Sequence, residues 1–294
     1  MSGVALPRIV LGHNAFFGVD HLSSQRGAER AAYFSDVENV MTVIASAVDA
    51  GAGGLMLSTH PRAAAICEAL SIDARLVSKL ELFPLLPYAQ KYVTRANELG
   101  LVRVVTQTLA EASTRDKVGL GLDFLRTMYR RDPLDMVRAL MRLELRMFRK
   151  LNVSTVFLHD AFSDLLIALN VPKVFSLYKS TLRKRFGTTA GIATKNLPLL
   201  VQRFQEWGME LPVVLTHVNK AGFHMNPSRK ECERALTQPN LKVMAMGTLA
   251  SGFLAPSEAY PYVNAFSAVK SIVVGASSSA HIRATFGSIT ASKT

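Results

Sequence analysis

One pattern recurs along most of the sequence: a short apolar run rich in β-branched residues, a polar tip, and an amphipathic helical stretch. The apolar runs are RIVLGH (8–13), GLMLSTH (54–60), RLVSKLEL (75–82), TVFLHD (155–160), TTAGIATK (188–195), PVVLTHVNK (212–220), LKVMAMGT (241–248) and SIVVGAS (271–277). Eight strands that alternate with helices at this spacing favour a parallel sheet closed into a barrel. The sequence therefore predicts an α/β fold, the (β/α)8 TIM barrel.

Helix signals between the strands agree with this pattern. In DVENVMTVIASAVDAG, Asp36 is a candidate N-cap and Gly51 a stop signal. The stretch from about 101 to 150 is too long for one unit, and it contains a helix start at Asp132 and Pro133. We expect a helical insertion after strand 3 within a single domain, residues 1–294. A lid over the barrel mouth, structural padding and an oligomer contact are all open roles for it.

Composition narrows the class of protein. The 294 residues are 49% hydrophobic and 19% charged, without the run of about 18 uncharged residues that a membrane span needs. The N-terminal sequence lacks the pattern of a secretory signal. Cys67 and Cys232 both fall in apparently helical stretches, so neither a disulfide framework nor a cysteine metal site is expected. The sequence predicts a soluble cytoplasmic protein.

The formal net charge of +12 allows nucleic acid, anionic lipid or a small anionic substrate as partner. Much of the positive charge lies in two helical stretches, 126–150 and 179–185, with no interleaved aromatics and no recognisable nucleic-acid module. This pattern is typical of a solvated helix exterior. We therefore expect a small anionic substrate, no membrane partner and no nucleic acid, with an oligomer left open.

In such barrels, functional side chains collect at the carboxyl ends of the strands. The polar residues placed there by the predicted strands are His13, Asn14, Ser58, Thr59, His60, Lys79, Glu81, His159, Asp160, Thr194, Lys195, His217, Asn219 and Lys220. The remaining histidines, His21, His224 and His281, fall in loops after strands one, six and eight. All seven histidines are thus predicted on the rim and none on a helix, which suggests a functional cluster.

Two kinds of chemistry are open to such a cluster. A histidine can act as general acid or as hydrogen-bond donor to a carbonyl, tuned by Lys79 or Asp160. Alternatively, histidines with Asp160 or Glu81 can ligate zinc or iron, and the candidate ligands are His13, His60, His159 and His217. No HxH or HExxH spacing supports the metal, so none is expected; if one is present, His13, His159 and His217 are its first candidates.

Two glycine- and serine-rich loops follow strands seven and eight and suggest a phosphate-binding site. Barrels often bind phosphate there, because backbone N–H groups and a helix N-terminus favour an anion. The candidate cofactor-binding residues are Gly247, Thr248, Gly252, Gly275, Ser277, Ser278, His281 and Arg283.

The segment KVMAMGTLASGFLAPSEAYPYVNAFSAVKSIVVGASSSAHIRATF resembles the last two barrel units of the aldo-keto reductase superfamily. IVLGHNAFFG is similar to the first strand of that family, LVSKL to its lysine strand, and TVFLHD to the strand that ends in its active-site histidine. The resemblance implies a nicotinamide cofactor, NADP or NAD, and carries Lys79 and His159 into the catalytic tetrad. The tetrad's aspartate and tyrosine have no counterpart in GLMLSTHPRA.

The leading hypothesis is a divergent enzyme that reduces a small carbonyl substrate with NAD(P)H. His159 or His60 would donate the proton and Lys79 would polarise the substrate. A non-redox lyase, isomerase or hydrolase acting on a phosphorylated substrate, and a barrel without catalysis that only binds, are the alternatives. The candidate catalytic residues are Lys79, His159, His60, His13, Glu81 and Asp160, and the candidate substrate-binding residues are Asn14, His217, Asn219, Lys220 and Thr194.

Overall fold

The computed structural model describes residues 5–20, 23–87 and 133–292, and its core is a closed barrel of eight parallel strands in sequence order. The strands are β1 (Ile9–Gly12), β2 (Gly54–Ser58), β3 (Glu81–Leu86), β4 (Thr155–Leu158), β5 (Thr189–Thr194), β6 (Val213–His217), β7 (Lys242–Met246) and β8 (Val269–Gly275). β8 pairs with β1 and closes the ring. The predicted TIM barrel is confirmed.

Helices connect the strands and cover the outside of the barrel. They are α1 (Ser24–Tyr33), α2 (Val37–Asp49), α3 (Ala63–Ile72), α4 (Ala74–Lys79), α5 (Pro133–Leu145), α6 (Asp160–Ala168), α7 (Pro172–Thr181), α8 (Leu197–Glu206), α9 (Arg229–Ala235), α10 (Pro256–Asn264) and α11 (Ser279–Ala291). Asp36 caps α2 as predicted, since its side chain accepts from the Glu38 N–H. Among the described residues, no helix is long and apolar enough to cross a bilayer.

The barrel interior is a hydrophobic cluster separate from the layer between strands and helices. Its buried members are Val10, Met56, Phe83, Phe157, Ala193, Val213, Leu215 and Met244. Each inner strand position is followed two residues later by another inner position, because side chains alternate along a strand. This periodicity fixes which side chains line the mouth of the barrel.

The third strand is not where the sequence analysis put it. Residues 75–79 of the predicted strand 75–82 belong to α4, whose N-cap Asp73 accepts from the Leu76 N–H at 2.9 Å. Leu76 and Leu80 are buried four residues apart, which is helical spacing, and β3 begins only at Glu81. The apolar residues of RLVSKL are compatible with a strand by composition, but their spacing suits the helix that they form.

The described part of the long connection after β3 is helical. α5 begins at Pro133 as predicted, and a short 3-10 turn, Arg146–Phe148, leads towards β4. The rest of the predicted insertion, from 101 to 132, lies outside the described residues. The single domain and the role of the insertion remain predictions.

Candidate functional site

The inner positions at the carboxyl ends of the strands divide the barrel mouth into a polar half and an open half. The side chains of Phe157, Ala193 and Leu215 point into the barrel from neighbouring β4, β5 and β6. Because side chains alternate along a strand, the residue two positions after each of these lies on the same side at the mouth. These residues are His159, Lys195 and His217. The corresponding positions on β1 and β8 are Gly12 and Gly275, which pair side by side. Nothing lies within 4 Å of a Cβ built on Gly275. Chemistry and space for a ligand therefore lie on opposite sides of one mouth.

Three side chains of the polar half form a connected charge array. Asp160 Oδ1 lies 2.6 Å from His159 Nδ1, and Asp160 Oδ2 lies 3.2 Å from Lys195 Nζ. Burial alone would raise the pKa of Asp160, but the hydrogen bonds and charges of His159 and Lys195 outweigh it and hold that pKa well below its usual range. Asp160 is thus a carboxylate that fixes a histidine with one oxygen and a lysine with the other.

The proton of His159 can be assigned from these contacts. The Ala161 N–H lies 3.2 Å from His159 Nδ1, which would require Nδ1 to accept. The 2.6 Å contact with ionised Asp160 requires Nδ1–H to donate, and a charge-assisted bond of this length is the stronger of the two. Nε2 is then the ring nitrogen available to a substrate. His159 is the N-cap of α6.

Helix α6 also holds the backbone of Lys195. Asp164, one turn after Asp160, accepts from the Thr194 hydroxyl at 2.5 Å and from the Lys195 N–H at 3.0 Å. The Lys195 carbonyl accepts from the Asn226 N–H at 2.8 Å. Burial raises the pKa of Asp164, although both donors oppose the shift. Both backbone groups and the ammonium of Lys195 are therefore fixed.

The importance of Lys195 was not apparent from the sequence, although TTAGIATK placed it at a strand end. Lys195 follows Ala193 by two residues, and Ala193 is a small residue on the inner face of β5. This alternation is the sequence signal that places Lys195 at the mouth. Its partner Asp160 comes from the preceding unit, so the pair depends on the closed sheet.

His13 and His60 form a second, neutral group with Phe17 on the β1 and β2 side. The His13 Nδ1–H donates to the Met56 carbonyl at 3.2 Å, and the His60 ring stacks on Phe17 at 4.2 Å. Burial lowers the pKa of each histidine to about 4. Both rings are uncharged at neutral pH, which makes them hydrogen-bonding groups and poor proton donors.

His217 lies against the backbone of the loop after β7. A Cβ added to Gly247, whose φ is 61°, would stand 2.3 Å from His217 Nδ1. The ring also lies 5.0 Å from that of His224, which itself has a φ of 56°. Glycine at 247 is therefore required both by the backbone conformation and by the position of the histidine.

The predicted positions of Lys79 and Glu81 are wrong. Lys79 is the exposed last residue of α4, and Glu81 is the first residue of β3. Lys79 precedes the strand and Glu81 begins it, so both lie towards the opposite end of the barrel from His159. The carboxyl end of β3 instead carries Leu85 and Leu86, and no lysine enters the mouth from this strand.

Several residues expected to bind substrate have other partners. The side-chain amide of Asn219 donates to the Phe223 carbonyl and accepts from the Phe223 N–H, at 2.9 and 2.8 Å. Lys220 forms an ion pair with Glu258 at 2.7 Å. The hydroxyl of buried Thr194 donates to Asp164 and accepts from the Asn196 N–H. The contacts of these three residues build loops, whereas His217 and exposed Asn14 remain on the rim.

Both predicted anion-binding loops lie at the carboxyl ends of their strands. Gly247 and Gly252 have positive φ, and Ser251 at 60° continues the same irregular turn. Ser278 caps α11 by accepting from the His281 N–H at 3.3 Å. His281 in the first turn of that helix and Arg283 just after it are exposed. The expectation that no histidine lies on a helix is therefore wrong for His281, and His21 lies outside the described residues.

A metal centre is not formed by the described part of the chain. There, no group of three or more His, Cys, Asp or Glu side chains is placed to bind an ion, including the candidate set His13, His159 and His217. Cys67 and Cys232 are free thiols, both buried.

Comparisons with known proteins identify the fold. No protein-family model matches the sequence, and no curated protein matches it. Among solved structures, a protein from Pseudomonas aeruginosa described as an aldo-keto reductase is 13% identical, with a TM-score of 0.60 over 97% of this chain and 90% of its own. An aldo-keto reductase from Bacillus halodurans in its holo form is 9% identical, with a TM-score of 0.57 over 96% and 86%.

A third structure, the aldo-keto reductase of Bombyx mori in complex with NADP, is 10% identical, with a TM-score of 0.51 over 98% of this chain and 88% of its own. Identity this low establishes similarity of fold, and residue roles do not transfer with it. The chain therefore has the eight-stranded α/β-barrel fold of the aldo-keto reductases.

Proposed function

We propose that the protein is a nicotinamide-dependent oxidoreductase that reduces a small carbonyl substrate. The observation that carries this proposal is the His159–Asp160–Lys195 array, which stands in the mouth of a barrel with the aldo-keto reductase fold. The Bombyx mori structure with this fold contains NADP.

His159 is the proton donor in this proposal. When its ring is protonated, Nδ1–H is held by Asp160 and Nε2–H can donate to the substrate oxygen. Burial keeps His13 and His60 neutral at pH 7, since it lowers the pKa of each to about 4. His159 is therefore preferred over His60, which the sequence had left as an equal candidate.

Lys195 supplies the positive charge that the resemblance assigned to Lys79. As hydride reaches the carbonyl carbon, negative charge develops on the oxygen, and a fixed ammonium nearby stabilises it. Asp160 and the contacts at the Lys195 backbone hold that ammonium before substrate arrives. The oxygen then takes the proton from His159, and the product is an alcohol.

The residues of the open half fit a dinucleotide. A Cβ on Gly275 or Gly252 would meet nothing within 4 Å, so both positions leave room for a ligand. α11 begins directly after β8 and presents Ser278 and its first-turn N–H groups at this rim, where a phosphate is favoured. The bound nicotinamide would supply the hydride. His281 and Arg283 are the candidate groups for its phosphates.

The proposal extends to the charge of the substrate and to the cellular location. The positive charge of Lys195 is paired with Asp160, and the neighbouring His13 and His60 are neutral. These groups therefore do not require a negatively charged substrate, and the anionic substrate remains a prediction. Buried free thiols at Cys67 and Cys232 support the expected cytoplasmic location.

Titration of NADPH and of NADH, followed by cofactor fluorescence, tests the proposal. We expect binding below millimolar concentration and oxidation of NADPH that depends on an added aldehyde or ketone. Lys195→Met and His159→Gln should each lower kcat about 100-fold or more, the scale of general acid and electrostatic contributions.

Lys79→Met is the matched control, because Lys79 is exposed on α4 and should leave kcat unchanged. Absence of binding by both cofactors at millimolar concentration refutes the proposal. An effect of Lys79→Met as large as that of Lys195→Met would overturn the assignment of the lysine.

A further inference from the structure

We propose that the amino-terminal end of the barrel, opposite the candidate active site, binds the phosphate backbone of nucleic acids through a basic surface. This basic surface consists of Arg149, Lys150, Arg183, Lys184 and Arg185, all of which are exposed. The sequence predicted a solvated exterior for both basic stretches, 126–150 and 179–185, because they contain no interleaved aromatics and no recognisable nucleic-acid module. The fold brings their ends together.

The strand register places the two parts of the basic surface at one edge. Thr155 at the start of β4 pairs with Thr189 at the start of β5. Just before these strands, the Thr189 N–H donates to the Ser154 carbonyl at 3.1 Å. Lys150 precedes β4 by five residues, and Arg185 precedes β5 by four. Both segments therefore reach the barrel at the same place on its amino-terminal face.

The described carboxylates leave most of the charge of this surface uncancelled. Within the described ranges, Lys150 and residues 183–185 form no ion pair. The carboxylates ahead of the next strand, Glu206 and Glu210, are already paired with Arg203 and Lys179 at 2.6 and 2.8 Å. A concentrated positive surface on a chain with net charge +12 is the electrostatic footprint of a polyanion site.

The turn that carries three of the cations is anchored in the core. Leu182 is fully buried, and the Thr188 N–H donates to its carbonyl at 3.4 Å. α7 ahead of the turn is fixed by Tyr178, whose hydroxyl donates to the Val156 carbonyl at 2.7 Å. Residues 183–185 therefore project from a supported backbone, so little ordering entropy opposes contact with a partner.

The surface favours nucleic acid over a membrane. Stable attachment to a bilayer takes inserted apolar side chains as well as charge. Within the described ranges, the exposed large hydrophobic residues are Tyr33, Ile72, Leu165, Leu169 and Phe253, and none belongs to the two basic segments. Leu151 and Phe186, the apolar neighbours of the cations, are partly buried. Charge without insertion suits a phosphodiester backbone, which is bound through counterion release.

The test is the salt dependence of binding to a fluorescein-labelled 30-nucleotide RNA and to a duplex DNA of the same length, by anisotropy. Five phosphate contacts predict a slope of about −4.5 in log K against log salt, so affinity for the duplex falls about 500-fold between 50 and 200 mM KCl. The variant Arg183→Ser/Lys184→Ser/Arg185→Ser should retain a slope of about −1.8 and a fall of about 12-fold.

A control with the same loss of charge is Arg26→Ser/Lys230→Ser/Arg234→Ser, which removes exposed cations from α1 and α9. It should keep the slope of the unaltered protein. An equal loss of slope in this control would show attraction by net charge alone and overturn the proposal. No binding at 50 mM KCl, or stronger binding to vesicles containing 30% phosphatidylserine than to either nucleic acid, would also overturn it.

The inference is independent of the oxidoreductase proposal, because the two sites lie at opposite ends of the barrel. Saturating NADPH and the variant His159→Gln should leave nucleic-acid binding unchanged. Loss of nucleic-acid binding in either case would place the polyanion in the barrel mouth and refute a site on the basic surface.

Discussion

Replacing Gly247 with alanine tests whether the loop after β7 holds His217 in place. A control glycine with the same backbone conformation distinguishes this effect from a general loss of stability. Gly247 adopts a φ of 61°, in the left-handed region where a Cβ clashes with the following carbonyl. For an ordinary L-residue this conformation costs roughly 1–2 kcal/mol. The same Cβ would stand 2.3 Å from His217 Nδ1, a separation that real contacts do not show. Gly247→Ala should therefore strain the loop and displace the histidine.

The distance between the added Cβ and the His217 ring sets the size of the displacement. Real Cβ atoms do not approach neighbours closer than 3.0 Å, so a 2.3 Å contact forces the ring or the loop to shift by 0.7 Å or more. Thr194 of β5 pairs with Thr216 of β6, and Lys195 and His217 are the residues that directly follow them. His217 is therefore a neighbour of Lys195 in the barrel. Misplacement of about 1 Å near reacting groups costs on the order of 100-fold in rate.

Gly208→Ala is the matched control. Gly208 has a φ of 62°, and nothing lies within 4 Å of its added Cβ. Urea unfolding should show a loss of roughly 1–2 kcal/mol for Gly208→Ala and at least as large a loss for Gly247→Ala, which adds the contact with His217. Only Gly247→Ala should lower kcat/KM for carbonyl reduction and shift the imidazole NMR resonances of His217. Unshifted His217 resonances in folded Gly247→Ala protein would refute the reasoning, and the NMR readout does not depend on the proposed activity.

Three further predictions concern titratable groups. Because His159 and Lys195 lower the pKa of Asp160, its contribution to stability is fully present above pH 4 and is lost as pH falls through the lowered pKa; Asp160→Asn should cost about 1.5–3 kcal/mol in urea unfolding at pH 7, and the cost should shrink steadily as the pH is lowered below 4. Burial lowers the pKa of His13 from 6.5 to about 4, so its unfolded form binds the proton more readily and stability falls by about 3 kcal/mol between pH 6.5 and 4; His13→Gln should flatten that part of the profile. Burial raises the pKa of Cys67 to about 12 and of Cys232 to about 11, so neither thiol should react with a disulfide reagent until the protein is unfolded, and rapid reaction at pH 8 would contradict their burial.

Most of the barrel could be predicted because alternation, turn residues and helix caps are local signals. Seven of the eight predicted strands coincide with observed strands to within a few residues, and Asp36 and Pro133 begin their helices as expected. The third strand failed because Asp73 caps a helix whose buried leucines are also compatible with a short apolar strand. ELFPLL, the observed strand, contains Pro84, which argues against a strand when only the sequence is read.

The candidate site was predicted only in part, because its connections are tertiary. His159 was identified from the end of TVFLHD, and the structure adds Asp160 as its partner. Lys79 was predicted in the mouth because LVSKL was taken as part of strand three. That strand begins only at Glu81, so Lys79 lies outside the mouth. Lys195 was visible at a strand end, but its pairing with Asp160 requires α6 to pack against β5. No local pattern in the sequence reports that contact.

The most direct test of the proposed site is diffraction from crystals soaked with NADP⁺. The proposal predicts electron density for the dinucleotide in the barrel mouth, between Gly275 on the open side and the His159–Lys195 side, with its phosphates near Ser278 at the start of α11. An empty mouth at millimolar cofactor, or a dinucleotide bound only at the opposite end of the barrel, would contradict it.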